Sequence, residues 1–500
     1  MEEFMFDFEK IGASKFYVAP SVERVVEFSP PDIDMDNVAK VLSLAVETKC
    51  VSVDALEAYA QVEGRTNFKL TYLDREGMPH GVDYNADFSV RVDGEFCDGD
   101  SAWCELRVVE ADAQATDRLL LSAVLEVIVG TVCREDIEVL SNADGCYKTM
   151  RDVYVPKFLA AKSSVAMFDD EQDVGAQITS VLSLTSNAIV RDVQVSQGMA
   201  RVKTSVVATV AYVESGEIKQ RDFEIPLEEE FNLEGIEEGD TVRVDASMKS
   251  AKIILQGVTD DNVIRLEGEV QYRIWAFRCQ KIEIVDDIFM LTNEIETVRS
   301  SIDYECFDGC GFFSERIGGT AVLGDTKAPA IGVSALPYAR CYTTRAYVGD
   351  DGNLEVEGVA NTDVIYTDEN GYNSVRAEIP FALTITSEQP WSKKLRVKCD
   401  VLSVNATVRR DREIEITMTL ALRVCGYSPL TLNYISSVTV GEEKAQNTSA
   451  LSIYVASEGE EMLDVCKALS AMPEDILLQN PTMTTPLKDG ERIVYFRSIS

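Results

Sequence analysis

Residues 414–424 read "IEITMTLALRV". Ile414, Ile416, Met418, Leu420, Leu422 and Val424 fall on one side of an extended chain, and Glu415, Thr417, Thr419 and Arg423 on the other. Successive side chains of a strand point to opposite faces, so a period of two over this length marks a half-buried antiparallel strand. "IRLEGEVQYRIW" (264–275) and "LLSAVLEVIV" (120–129) have the same character. Fold class therefore begins as mainly β.

These runs close three copies of one pattern. "VLSLAVETKC" (41–50) answers "VLSLTSNAIV" (181–190), and Tyr72 and Tyr212 repeat at the same offset. A third copy contains "VEGVANTDVIYTDENG" (356–371), with Tyr366 in the equivalent place. A turn follows each tyrosine at Gly77, Gly216 or Gly371, where positive φ is needed. Extended runs come next, beginning at Ala86, Glu224 and Glu378. Pro226 and Pro380 are expected at strand starts, where no ladder donor is lost. "LRV" (106–108), "VRV" (242–244) and "LRV" (395–397) place Arg107, Arg243 and Arg396 in register, each expected to pair with an acidic neighbour in its own domain. Trp103 and Trp391, just ahead of two of these triplets, are expected in the core. Many short strands per copy predict three tandem β-sandwich-like repeats, over 41–165, 175–305 and 325–445. Residues 1–40 are expected to form an extension packing on the first repeat.

The bulk numbers agree with a multidomain chain of 500 residues. Forty-seven basic against 85 acidic residues leave a net charge of −38. Such a surface disfavours nucleic acid and anionic lipid and favours basic protein partners. The beginning, "MEEFMFDFEKIGASKFYV", has no basic segment or sustained apolar core, so no export signal is expected. No apolar run reaches the roughly eighteen residues of a membrane span. Twelve cysteines are too sparse for a disulfide scaffold and are expected as reduced thiols in a cytoplasmic protein. Cys306 and Cys310 have no second ligand pair downstream, so no metal is expected.

No enzyme is expected. His80 is the single histidine, placed just past a turn, and supplies neither a metal cluster nor a triad. "GGTAVLGDT" (318–326) has phosphate-loop glycines, but Asp325 stands where the lysine is required. No cofactor is expected. The acidic stretch 227–240, "LEEEFNLEGIEEGD", reads as a solvated edge and loop.

The pattern changes near the end. "LSIYVA" (451–456) can be a strand; Met462, Val465, Cys466 and Leu469 then recur at helical spacing. Pro473 suits a first helical turn and Asn480-Pro481 stops the second helix. Asp489-Gly490 turns the chain into a closing strand, Arg492 to Phe496. This βααβ order over 450–500 resembles a LysM domain. Gly459, the apolar Leu463, Val465, Ala468, Ile476 and Leu477, Asn480-Pro481 and Leu487-x-x-Gly490 carry the resemblance. It implies a core of Leu463, Val465, Ile476 and Leu477, and binding loops at Gly459, Glu460, Glu461, Asn480 and Pro481. Glu460-Glu461 replaces the Asp-Thr that helps glycan-binding members hold N-acetylglucosamine.

Three strand-rich repeats with one such tail resemble the SipL-like family of SPOCS-domain spore-coat morphogenetic proteins of spore-forming Firmicutes. "VEG…VIYTDENG…EIPF" in the third copy carries that likeness. The resemblance implies a scaffold in the mother-cell cytosol, at the forespore surface. Its tail would bind the coat's basement-layer ATPase and its repeats other coat proteins. The alternative is a cell-wall protein whose tail binds peptidoglycan, for which the chain would have to be exported.

Overall fold

The computed structural model describes residues 5–31, 33, 37–115, 118–173, 178–256, 263–324, 327–388, 390–410, 412–445 and 449–497. Asp325 lies outside the described residues. Each long alternating segment closes a unit. The first unit holds β1 (Met5–Val18), β2 (Val22–Phe28), β3 (Val38–Leu56), β4 (Tyr59–Asp74), β5 (Pro79–Asp93), β6 (Ser101–Ala115) and β7 (Leu119–Asp144). The second holds β8 (Tyr147–Asp173), β9 (Ile178–Ser196), β10 (Met199–Glu214), β11 (Glu217–Asn232), β12 (Thr241–Gln256) and β13 (Val263–Phe289). The third holds β14 (Asn293–Val322), β15 (Gly332–Val348), β16 (Leu354–Asp368), β17 (Gly371–Ile385), β18 (Lys394–Arg410) and β19 (Glu413–Glu443).

The pairing is the same in all three. A three-stranded antiparallel meander (β3-β4-β5, β9-β10-β11, β15-β16-β17) faces a second sheet whose centre is the closing strand. On one side of that strand lies β6, β12 or β18, and on the other the strand that opens the unit. Residues 1–40 thus supply strands of the first unit: β1 pairs with the far part of β7 and β2 with its beginning. The boundaries read from sequence at 165 and 305 fall inside β8 and β14, because each opening strand hydrogen-bonds forward to its own unit's end.

Apolar faces of the two sheets meet to form each core. All six inward residues of 414–424 are buried, packed against Val356, Ala360, Val364 and Tyr366 of the facing meander. Tyr272 and Ile274 of β13 do the same against Val202 and Val210. The acidic stretch 227–240 is anchored by buried Phe231, Leu233 and Ile236; most of its carboxylates stay outside, while Asp240 is tucked in against Arg278 at 2.7 Å. Gly77, Gly216 and Gly371 all have positive φ at their turns. Pro226 and Pro380 lie within β11 and β17, not at strand starts. Both are edge strands of their meanders, where an absent N–H faces no partner.

Beyond β6, β12 and β18, each closing strand pairs with its opening strand alone, giving three two-stranded ribbons. The ribbons pack on one another through Ile137, Val153, Ile284, Tyr304 and Leu432. At their base Phe16 lies 4.5 Å from Phe277 and 5.7 Å from Tyr427, joining the three units through one aromatic cluster. Arg243 sits here, 4% exposed. It stacks 3.7 Å over Trp103 of the first unit, donates to the Tyr427 hydroxyl of the third at 3.3 Å, and pairs with Asp245 at 3.3 Å. Arg107 pairs with Glu105 at 2.8 Å inside its unit. Arg396 faces the Tyr427 and Trp103 rings, at 5.4 and 5.9 Å. Trp103 is buried; Trp391 packs beside Phe313 at 5.8 Å.

One cysteine pair corrects the expectation of reduced thiols: Cys310 and Cys425 form a disulfide between β14 and β19. They are directly opposite in the strand register, whereas Cys306 and Cys310 are separated along one strand. Cys306 neighbours the Cys279 thiol instead. His80 is the second residue of β5, stacked on Tyr72 and 2.8 Å from Asp74. Among the described residues no helix is long and apolar enough to cross a membrane.

Candidate functional site

The tail is built by local rules. β20 (Leu451–Val455) pairs antiparallel with β21 (Arg492–Phe496), and α1 (Met462–Leu469) and α2 (Pro473–Gln479) lie between them in the chain. Glu461 caps α1 in a reciprocal box with Asp464, whose carboxylate accepts the Glu461 N–H at 2.9 Å. Pro473 occupies the first turn of α2. Leu463, Val465, Cys466, Leu469 and Ile476 are buried with Ile493 and Tyr495 of β21. Leu477, expected in this core, is 41% exposed. A helix of this length presents one narrow inward stripe, and Ile476 takes it, so its neighbour one-third of a turn away faces out.

The expected binding loops are largely occupied by structural tasks. Gly459 has φ +87° and hands its N–H to the Leu487 carbonyl at 2.9 Å. The Glu460 carboxylate accepts from the Tyr454 hydroxyl at 2.8 Å and the Ser457 N–H at 2.9 Å. Partial burial, with Glu460 beside it, pushes the Tyr454 phenol up to about 12. Asn480 clamps α2 to β21: its amide donates to the Ile476 and Val494 carbonyls, both at 2.8 Å, and accepts the Val494 N–H at 3.1 Å. Pro481 stays exposed at the helix end.

A different surface is free. Leu451 (47% exposed), Ile453 (58%), Val455 (57%) and Phe496 (60%) project from one face of the β20–β21 sheet. Leu451 lies opposite Phe496 and Ile453 opposite Val494, so the side chains share that face. Tyr454 and Ile493 point the other way, into the core. A solvated strand face is ordinarily polar; a contiguous apolar one marks an interaction site. The signal was present in "LSIYV", where the outward positions carry the aliphatic residues.

The opposite side of the tail is already used. Tyr147 and Phe289, at the tip of the second unit's ribbon, join the tail's core cluster. Lys467 of α1 pairs with Asp287, and the Lys444 ammonium lies 4.4 Å over Phe289 while donating to the Met290 carbonyl. The tail is therefore docked by α1 and its sheet is left facing away from that contact.

A family model described as SipL, SPOCS domain, matches residues 177–256. The matched segment contains β9, β10, β11 and β12, the meander and flanking strand of the second unit. The match supports a SipL-like affiliation and a role related to sporulation. No curated protein and no solved structure matches the chain.

Proposed function

We propose that the chain is a non-enzymatic scaffold of spore-coat assembly, acting in the mother-cell cytosol at the forespore surface. Its LysM-like tail binds the coat's basement-layer ATPase, and its three units engage other coat proteins. The observation that carries the reading is the outward apolar face of Leu451, Ile453, Val455 and Phe496. A hydrophobic strand face on a highly charged chain is suited to a protein surface rather than to the hydroxyls of a glycan. The SPOCS match on the second unit supplies the sporulation context.

The test uses the full chain against two immobilised baits, the basement-layer ATPase and purified peptidoglycan. Ile453→Asp changes an exposed side chain and should leave stability within about 0.5 kcal/mol. Capture by the ATPase, weakened at least about tenfold by Ile453→Asp, is expected. Capture by peptidoglycan alone, or ATPase capture indifferent to this substitution, would overturn the proposal. Glu461→Lys is a poorer probe because it also removes the α1 cap, worth about 1 kcal/mol. Leu463→Ala would cost about 2–5 kcal/mol and tests the fold of the tail rather than the contact.

A further inference from the structure

Where the three units meet on the meander side of the junction they leave a cavity of about 700 Å³, walled by strands from all three. That size suits a small organic ligand. Its wall carries nine basic and six acidic side chains, an excess of positive charge in a protein whose net charge is −38. Most of the cations are neutralised. Lys69 pairs with Glu47 at 2.6 Å, Arg423 with Asp245 at 2.7 Å and Lys398 with Asp400 at 3.4 Å.

Two guanidiniums are not. Arg273 of β13 and Arg340 of β15 have no carboxylate within ion-pair distance among the described residues. Two of the Arg340 nitrogens, Nε and Nη1, are buried without an acceptor. Other orphaned donors share the wall: the indole N–H of Trp103, which is 3% exposed, and the hydroxyls of Thr48 and Thr343. Leaving a buried donor unpaired costs about 1–3 kcal/mol, and more for a charged group. Two carboxyls in the wall, Asp83 and Asp222, oppose this set without an ion pair among the described residues; burial pushes the Asp83 pKa above its ordinary value. The orphaned donors come from the first unit (Thr48, Trp103) and the third (Arg340, Thr343), and the second adds Arg273, whose guanidinium meets the Cys50 thiol but no carboxylate.

We propose that this inter-unit cavity binds a small, multiply charged anion bearing carboxylate or phosphate groups, held by Arg273 and Arg340. Guanidiniums recognise both groups through their N–H donors, and Arg340 leaves two of its nitrogens without an acceptor here. A ligand held by the second and third units at once would also fasten them together.

The test is isothermal titration of the full chain with citrate and, separately, pyrophosphate at constant ionic strength. The two probes distinguish a carboxylate from a phosphate ligand. Saturable one-to-one binding of at least one probe is expected. Arg273→Gln and Arg340→Gln should each weaken it by about tenfold or more, as loss of a charge-assisted bond worth about 1.5–3 kcal/mol requires. Arg24→Gln, on exposed strand β2, should leave it unchanged. Should a glutamine variant fail to fold, Arg273→Lys and Arg340→Lys carry the same test, with a smaller loss at unchanged stoichiometry. Absence of saturable binding by both probes would overturn the proposal. So would binding insensitive to both cavity arginines, or equally reduced by Arg24→Gln.

Discussion

Replacing Arg243 by alanine should loosen the joint between all three units. The side chain makes a stacked contact with Trp103 at 3.7 Å, a hydrogen bond to the Tyr427 hydroxyl at 3.3 Å and an ion pair with Asp245 at 3.3 Å. A desolvated cation–π contact contributes about 2 kcal/mol. Removing one partner of a buried ion pair costs about 3–5 kcal/mol. Asp245 keeps Arg423 at 2.7 Å, so the lower end of that range applies. Together these give a loss of about 5 kcal/mol. The assay is urea unfolding followed by tryptophan fluorescence, because Trp103 and Trp275 both belong to the junction's aromatic cluster. With a slope of about 2–3 kcal/mol per molar, the junction's midpoint should fall by roughly 2 M. Arg243→Lys retains charge without the planar stack and should fall between the two.

The same substitution has a pH signature. Burial alone would raise the Asp245 pKa, but Arg243 and Arg423 hold it well below the usual carboxylate range. A depressed folded-state pKa contributes stability above the unfolded value, about pH 4, and loses it as pH falls through the folded value. The gap between the parent and Arg243→Ala should therefore be widest near neutrality and narrow in acid. A midpoint shift equivalent to less than about 1 kcal/mol, or a gap that widens as pH falls, would refute the role given to Arg243.

Two further outcomes test other parts of the assembly. A Cβ at Gly81 would stand 1.9 Å from the Leu182 carbonyl oxygen, so Gly81→Ala must push β5 away from β9 at a cost of about 1–3 kcal/mol. Hydrogen exchange should rise in residues 178–196, while Gly318→Ala, whose nearest contact is 3.6 Å, should leave exchange unchanged. Cys341 and Cys399 have their sulfurs 2.9 Å apart, so a small disulfide oxidant should join them with loss of two thiol hydrogens, detectable by peptide mapping. Burial and the neighbouring thiol raise the Cys341 pKa well above its ordinary value, so the reaction should be slow at neutral pH and faster in alkali.

Much of the fold was legible because it is written with short-range periodicity. The alternation in 414–424 places six apolar side chains on one face whatever the strand pairs with, and all six are buried. The turn glycines and the helix-then-strand order of the tail are equally local. Leu477 was misplaced because two adjacent leucines and an isoleucine in a seven-residue helix leave the inward stripe ambiguous. Glu460 and Asn480 stand in loop positions that local pattern leaves free to bind, and only the positions of Tyr454 and Val494 show what they hold.

By itself, then, the sequence determined a β-rich chain of repeated units, their turns, their inward faces and a βααβ end. Those follow from backbone stereochemistry and the period of apolar residues. Tertiary structure alone decided that each opening strand pairs forward with its unit's last strand, and that Cys310 meets Cys425. It also decided that Arg243 joins three units and that Arg273 and Arg340 share a cavity. Such pairings join residues far apart in sequence, and no local period encodes which distant face a side chain will meet.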